Sequence, residues 1–129
     1  GVGAVLNAPA ERNFFDISRQ ECLPQVNIVY FNVDANPKVL KYAACVSDGL
    51  VIAGAGSGEF SLSWAEALRE IDIPVVIASR THHGGVTLNE RLAPGCICAG
   101  TLPPQKAAVL LRLALTVTHK NAVIQKFFV

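Results

Sequence analysis

The sequence predicts an α/β fold, a small three-layer domain in which a four-stranded parallel sheet is flanked by helices. Three observations predict it. Four short runs are apolar at consecutive positions, the pattern of strands covered on both faces. Stretches with helix-start signals or helical apolar spacing lie between and after those runs. Glycine, proline and asparagine punctuate the joins, and strands alternating with helices pair in parallel through right-handed crossovers.

Each element follows from its residues. Residues 1–24 read as a linker with a broken element: an apolar start through Leu6, a turn from Pro9 to Asn13, and a short patch at Phe14-Phe15-Asp16-Ile17. Val26-Asn27-Ile28-Val29-Tyr30-Phe31 is the first strand, and Asn36-Pro37 starts a helix with asparagine as cap and proline in the first turn. Leu50-Val51-Ile52-Ala53 is the second strand. Gly54 to Gly58 is a turn, and Ser63 with Glu66 three residues on reads as a capping box for a helix running to about Ile71. Pro74-Val75-Val76-Ile77-Ala78-Ser79 is the third strand, followed by a long loop through His82, His83, Gly84 and Gly85 to Pro94. Cys96-Ile97-Cys98-Ala99 is the fourth. A helix from about Gln105 to His119 carries Ala107, Leu110, Leu111, Ala114 and Val117 on one stripe, and a short helix follows Asn121.

Composition bounds what such a domain does. The 129 residues are 51% hydrophobic with a net charge of +1, which is enough for one core and offers no footprint for nucleic acid or anionic lipid. No apolar run approaches the roughly 20 residues that span a bilayer, so no membrane role and a soluble chain are expected. Without any methionine, position 1 is not an unprocessed initiator, and sequence upstream of Gly1 is expected. Cys22, Cys45, Cys96 and Cys98 form no C-x-x-C pair and read as buried reduced thiols.

In open parallel sheets ligands sit beyond the carboxyl ends of the strands, so the loops after Phe31, Ala53, Ser79 and Ala99 are the places to search. Gly54-Ala55-Gly56-Ser57-Gly58 suggests a dinucleotide turn, yet Glu59 stands where the third glycine belongs and its charge repels phosphate. His82 and His83 are adjacent in an extended loop and do not both address one site. Cys96 and Cys98 face the same side of their strand, but the spacing of a closed zinc site is missing. No G-x-S-x-G elbow or other nucleophile motif is present. The residues therefore imply no cofactor, no metal and no complete catalytic set.

Three blocks then carry a resemblance. Asp48-Gly49-Leu50-Val51-Ile52-Ala53-Gly54-Ala55-Gly56-Ser57-Gly58, Ile73-Pro74-Val75-Val76-Ile77-Ala78-Ser79-Arg80-Thr81 and Ala99-Gly100-Thr101-Leu102-Pro103-Pro104-Gln105-Lys106-Ala107 resemble, in order, the C-terminal domain of bacterial-type L-asparaginases. Leu110 to Thr116 and Ile124 to Phe128 are similar to that family's last two helices. Phe15-Asp16-Ile17 through Leu23-Pro24 is similar to its interdomain linker. The resemblance implies that residues 1–24 are the remnant of an N-terminal domain edge with that linker, and residues 25–129 the C-terminal α/β domain.

It further implies an amidohydrolase that converts asparagine to aspartate and ammonia, with the nucleophilic threonine on an N-terminal domain that is absent here. The partners implied are that N-terminal domain, in the same chain and in a neighbouring subunit of a homo-oligomer, and a small amino-acid amide as substrate. The cytoplasm is the expected compartment, with the periplasm as the alternative. Ser57 stands where family members place asparagine or serine against the substrate. The family's acidic partner for the substrate ammonium falls, by ungapped count, on Arg91. A cation cannot accept that ammonium, so either Glu90, one residue earlier, takes the role or the substrate differs. The alternatives are an asparaginase-like subunit of a tRNA-dependent amidotransferase, or a non-catalytic α/β interaction module.

Overall fold

The computed structural model describes residues 22–31, 36–54, 62–79 and 95–128. Within them the elements run β1 (Val26–Tyr30), α1 (Pro37–Cys45), β2 (Gly49–Gly54), α2 (Leu62–Arg69), β3 (Val75–Ser79), β4 (Ile97–Cys98), α3 (Pro104–Ala114) and α4 (Asn121–Phe127). The sheet has four strands in the order β1-β2-β3-β4, every neighbouring pair parallel. β1 and β4 are therefore its two edges. This is the predicted architecture.

Strand alternation divides the core in two. Leu50 and Ile52 of β2 and Val75 and Ile77 of β3 point to the side covered by α1 and α2, where Leu40, Trp64 and Leu68 are buried. Val51, Val76 and Ala78 point to the other side, against Leu111 of α3, Leu115 just after it and Ile124 of α4. All six residues of β2 are buried, because a central strand between two helical layers has no wet face. That is why its sequence shows no polar alternate.

One close approach depends on a missing side chain. At Gly49 an added Cβ would stand 2.9 Å from Leu115 Cδ1 and 3.0 Å from Leu111 Cδ2, so glycine here lets the end of α3 lie directly on the sheet. The amino end of β1 is fixed in a different way. Gln25 donates its N–H to Asp48 Oδ2 at 2.8 Å, and its carbonyl accepts from Asp48 N at 2.8 Å. Arg112 Nε, on α3, donates to the Pro24 carbonyl at 3.0 Å.

α1 begins as its sequence predicts, with Pro37 at the start and Asn36 Oδ1 accepting from Lys38 N at 2.9 Å. Asn36→Ala is expected to remove about 1 kcal/mol of stability by orphaning that N–H. The fall would be read as a lower urea midpoint, with Asn36→Asp near the parent value.

Two helix boundaries differ from expectation. α2 already includes Leu62, so Ser63 lies in its first turn and is not the cap, and the helix stops at Arg69, short of Ile71. Its position is set by tertiary burial of Trp64, Ala65, Ala67 and Leu68, which outweighs a local capping pattern. α3 ends at Ala114, well before His119, and Val117 is 62% exposed instead of belonging to the apolar stripe. The cause is the β-branched run Thr116-Val117-Thr118. Thr116 Oγ1 donates to the Leu113 carbonyl at 2.6 Å, and Thr118 Oγ1 accepts from Lys120 N at 3.0 Å, diverting the backbone towards α4. The four cysteines are free, but Cys22 and Cys45 are exposed and Cys96 and Cys98 half-buried, contrary to the expectation of buried thiols.

Candidate functional site at the carboxyl edge of the sheet

Pairing aligns the strand ends on one edge. Tyr30 lies opposite Ala53, Gly54 lies opposite Ser79, and Ala99 N donates to the Ile77 carbonyl at 3.0 Å, which brings the end of β4 alongside. The residues at these ends, Gly54, Ala78, Ala99 and Gly100, are small, and the first three are buried, so the strand ends pack closely against neighbouring backbone. Gly100 has φ +65°, a left-handed conformation that favours glycine, and an added Cβ there would meet the Phe128 carbonyl at 3.4 Å.

α1, α2 and α3 each follow a strand and begin at this edge, and none has an acidic residue in its first turn. Their N-terminal dipole ends therefore favour negative charge at the rim, such as a substrate carboxylate. Beneath the rim the support is aromatic. Phe31, at the end of β1, meets Trp64 of α2 edge to face at 5.1 Å and 79°.

Of the sequence-predicted site residues, Ser57 and Glu90 lie outside the described residues, as do Arg91, His82 and His83. The described residues that flank them in sequence are Gly54 before Ser57, and Ser79 and Gly95 on either side of the stretch that holds Glu90. Sequence reasoning misses Ser79. It is the buried polar residue of the described core, 6% exposed, and its signal is a hydroxyl ending an otherwise apolar strand. Cys96 and Cys98 do share one side of β4, packed against the α1/α2 half of the core. Among the described residues no group of three His, Cys, Asp or Glu is placed to hold a metal.

A cleft of about 300 Å³ lies at the opposite edge, between the end of α1 and the α2–β3 connection. Lys41 Nζ pairs with Glu70 Oε2 there at 2.6 Å, with both side chains at least half exposed. Such a pair contributes little, and the cleft is remote from the strand ends.

Comparison with known proteins converges on one family. The Glutaminase/Asparaginase C-terminal domain profile matches residues 25–128. The chain is 37% identical over 121 residues to L-asparaginase 2 of Escherichia coli K12, covering 88% of this chain and 35% of that protein. It is 34% identical to a probable periplasmic L-asparaginase of Haemophilus influenzae, again over 88% of this chain and 35% of that one. A crystal structure of a probable cytoplasmic L-asparaginase from Campylobacter jejuni superposes with a TM-score of 0.77 at 36% identity, covering 88% of this chain and 39% of that chain. The chain thus spans little more than a third of the length of these relatives.

Proposed function

Because the chain belongs to the Glutaminase/Asparaginase C-terminal domain family, we propose that it supplies the substrate-binding and subunit-interface part of an asparaginase-type amidohydrolase. The family match across residues 25–128 carries this reading. A parallel sheet whose small-residue ends and helix N-termini meet at one rim supports it, since that rim suits a substrate bearing a carboxylate.

The reaction is amide hydrolysis: water adds across the amide C–N bond of the asparagine side chain, giving aspartate and ammonia. The nucleophile that first takes the acyl group belongs to polypeptide beyond these residues. This chain acts by binding and orienting. Ser57, three residues after Gly54, donates its hydroxyl to a substrate carboxylate or carbonyl. Glu90 receives the α-ammonium, a charge-assisted contact that Arg91 cannot make. Residues 1–24 connect this domain to an N-terminal one, and a neighbouring subunit of a homo-oligomer contributes the rest of the site. Relatives are named both cytoplasmic and periplasmic. No helix among the described residues is long and apolar enough to cross a membrane. We place the protein in the cytoplasm, with the periplasm as the alternative.

The test is ammonia release from L-asparagine. The 129-residue chain alone should give background. A chimaera in which residues 25–128 replace the matching part of the Escherichia coli relative should turn over. Within it, Glu90→Gln is expected to raise KM about tenfold or more, the loss of one hydrogen bond to a charged group, while Arg91→Ala changes it less. Activity from the chain alone, or an inactive folded chimaera, counts against the proposal. The reverse ranking of the two variants removes Glu90 from its role.

A further inference from the structure

We propose that Gln125 is a positioning residue, whose side-chain amide stands in for a fifth strand and fixes β4 at the rim where substrate binds. The inference rests on the functional reading above for its last step only.

β4 is two residues long and joins β3 through two rungs, Val76 opposite Ile97 and Ile77 opposite Cys98. In a parallel ladder alternate residues bond to alternate sides. Ala99 N donates towards β3, so the Cys98 N–H and carbonyl point away from the sheet, where a further strand would lie. Gln125 takes that place. Cys98 N donates to Gln125 Oε1 at 2.8 Å, and Gln125 Nε2 donates to the Cys98 carbonyl at 3.1 Å. A carboxamide offers the same acceptor and donor as a peptide group, so both half-buried backbone groups are satisfied by one side chain.

α4 holds β4 at two more levels. One turn earlier Asn121 Nδ2 donates to the Gly95 carbonyl at 2.8 Å, two residues before β4. At the other end the Phe128 carbonyl lies against Gly100. The helix therefore runs beside β4 in the same direction. It is itself held by Ile124 and Phe128, both buried in the α3 half of the core. The position of the Ala99-Gly100-Thr101 corner is in this way tied to the C-terminal helix.

The chemistry of the contact supplies its own control. Leucine matches the size of glutamine and keeps the packing but bonds neither backbone group. A glutamate carboxylate accepts from Cys98 N but sets a second acceptor against the Cys98 carbonyl, whereas protonated glutamate, with one acceptor and one O–H, restores both bonds.

Amide hydrogen exchange on the 129-residue chain tests the clamp. Gln125→Leu should speed exchange at Cys98 about tenfold or more through local opening, and should loosen Gly95 to Thr101 while α1 and α2 keep their protection. Gln125→Glu should behave like the leucine variant at pH 7. It should recover protection as pH falls, beginning above the ordinary glutamate range of about 4, because the protonated form is the one that bonds both groups. Unchanged exchange at Cys98, uniform loss across all elements, or a glutamate variant that loosens further in acid would overturn the proposal. In the active chimaera, Gln125→Leu should raise KM severalfold with kcat nearly unchanged. An unchanged KM beside altered exchange would overturn the link to the rim. An inactive parent chimaera would instead count against the functional reading, leaving the exchange result to decide the clamp.

Discussion

Replacing Trp64 with alanine is expected to cost about 3–5 kcal/mol of folding stability, a large share of the 5–15 kcal/mol that usually separates a domain from its unfolded state. Trp64 is fully buried on α2 and is among the largest fully buried side chains. It fills the space between that helix and the α1/α2 face of the sheet, and its contact with Phe31 adds about 0.5–1.5 kcal/mol beyond area burial. Trp64→Phe keeps an aromatic ring in place and should cost less. Since Trp64 is the single tryptophan of the chain, alanine also removes the natural fluorophore, so unfolding is best followed by far-ultraviolet circular dichroism. A loss below about 1 kcal/mol, the level typical of a surface site, would contradict its place in the core.

The second large effect is expected at Gly49, where there is no room for a side chain. Gly49→Val should destabilise by about 1–3 kcal/mol, the usual cost of overpacking. The atoms in its way belong to Leu111 and Leu115, whose side chains are themselves buried and cannot swing into solvent. Gly49→Ala should cost less, because its one methyl meets only the tips of the Leu115 and Leu111 side chains, whereas valine adds two further carbons. The interaction is tested by shrinking the obstacle. A Gly49→Val, Leu115→Ala double variant should be more stable than the sum of the two single losses by about 0.5–3 kcal/mol, the size of coupling seen between touching residues. Strict additivity would place the strain elsewhere.

These two sites show what could and could not be read in the sequence. The strands were legible because β2 and β3 are buried on both faces, and a strand with no wet side leaves an unbroken apolar run. α1 was legible because Asn36 and Pro37 act locally. The start of α2 was not, since burial of Trp64 overrides the Ser63 and Glu66 pattern. The end of α3 was missed because Thr116 and Thr118 hydrogen-bond the backbone, which hydrophobic spacing does not register. Gln125 reads in isolation as an ordinary polar residue on an amphipathic helix. Its partner stands 27 positions away and uses main-chain atoms, so no residue type announces the contact. Only resemblance to a family singles out Ser57 and Glu90; the spacing of their neighbours names no chemistry by itself.

The sheet's two margins are unequal, and this limits how copies of the domain can associate through main-chain pairing. The β4 margin is occupied by a carboxamide, whereas among the described residues nothing pairs with the outer side of β1, whose five residues include no proline and no charge. A module with two adhesive margins polymerises without end. One with a single adhesive margin stops at a pair, so on the described residues any strand-to-strand contact between copies would run through β1.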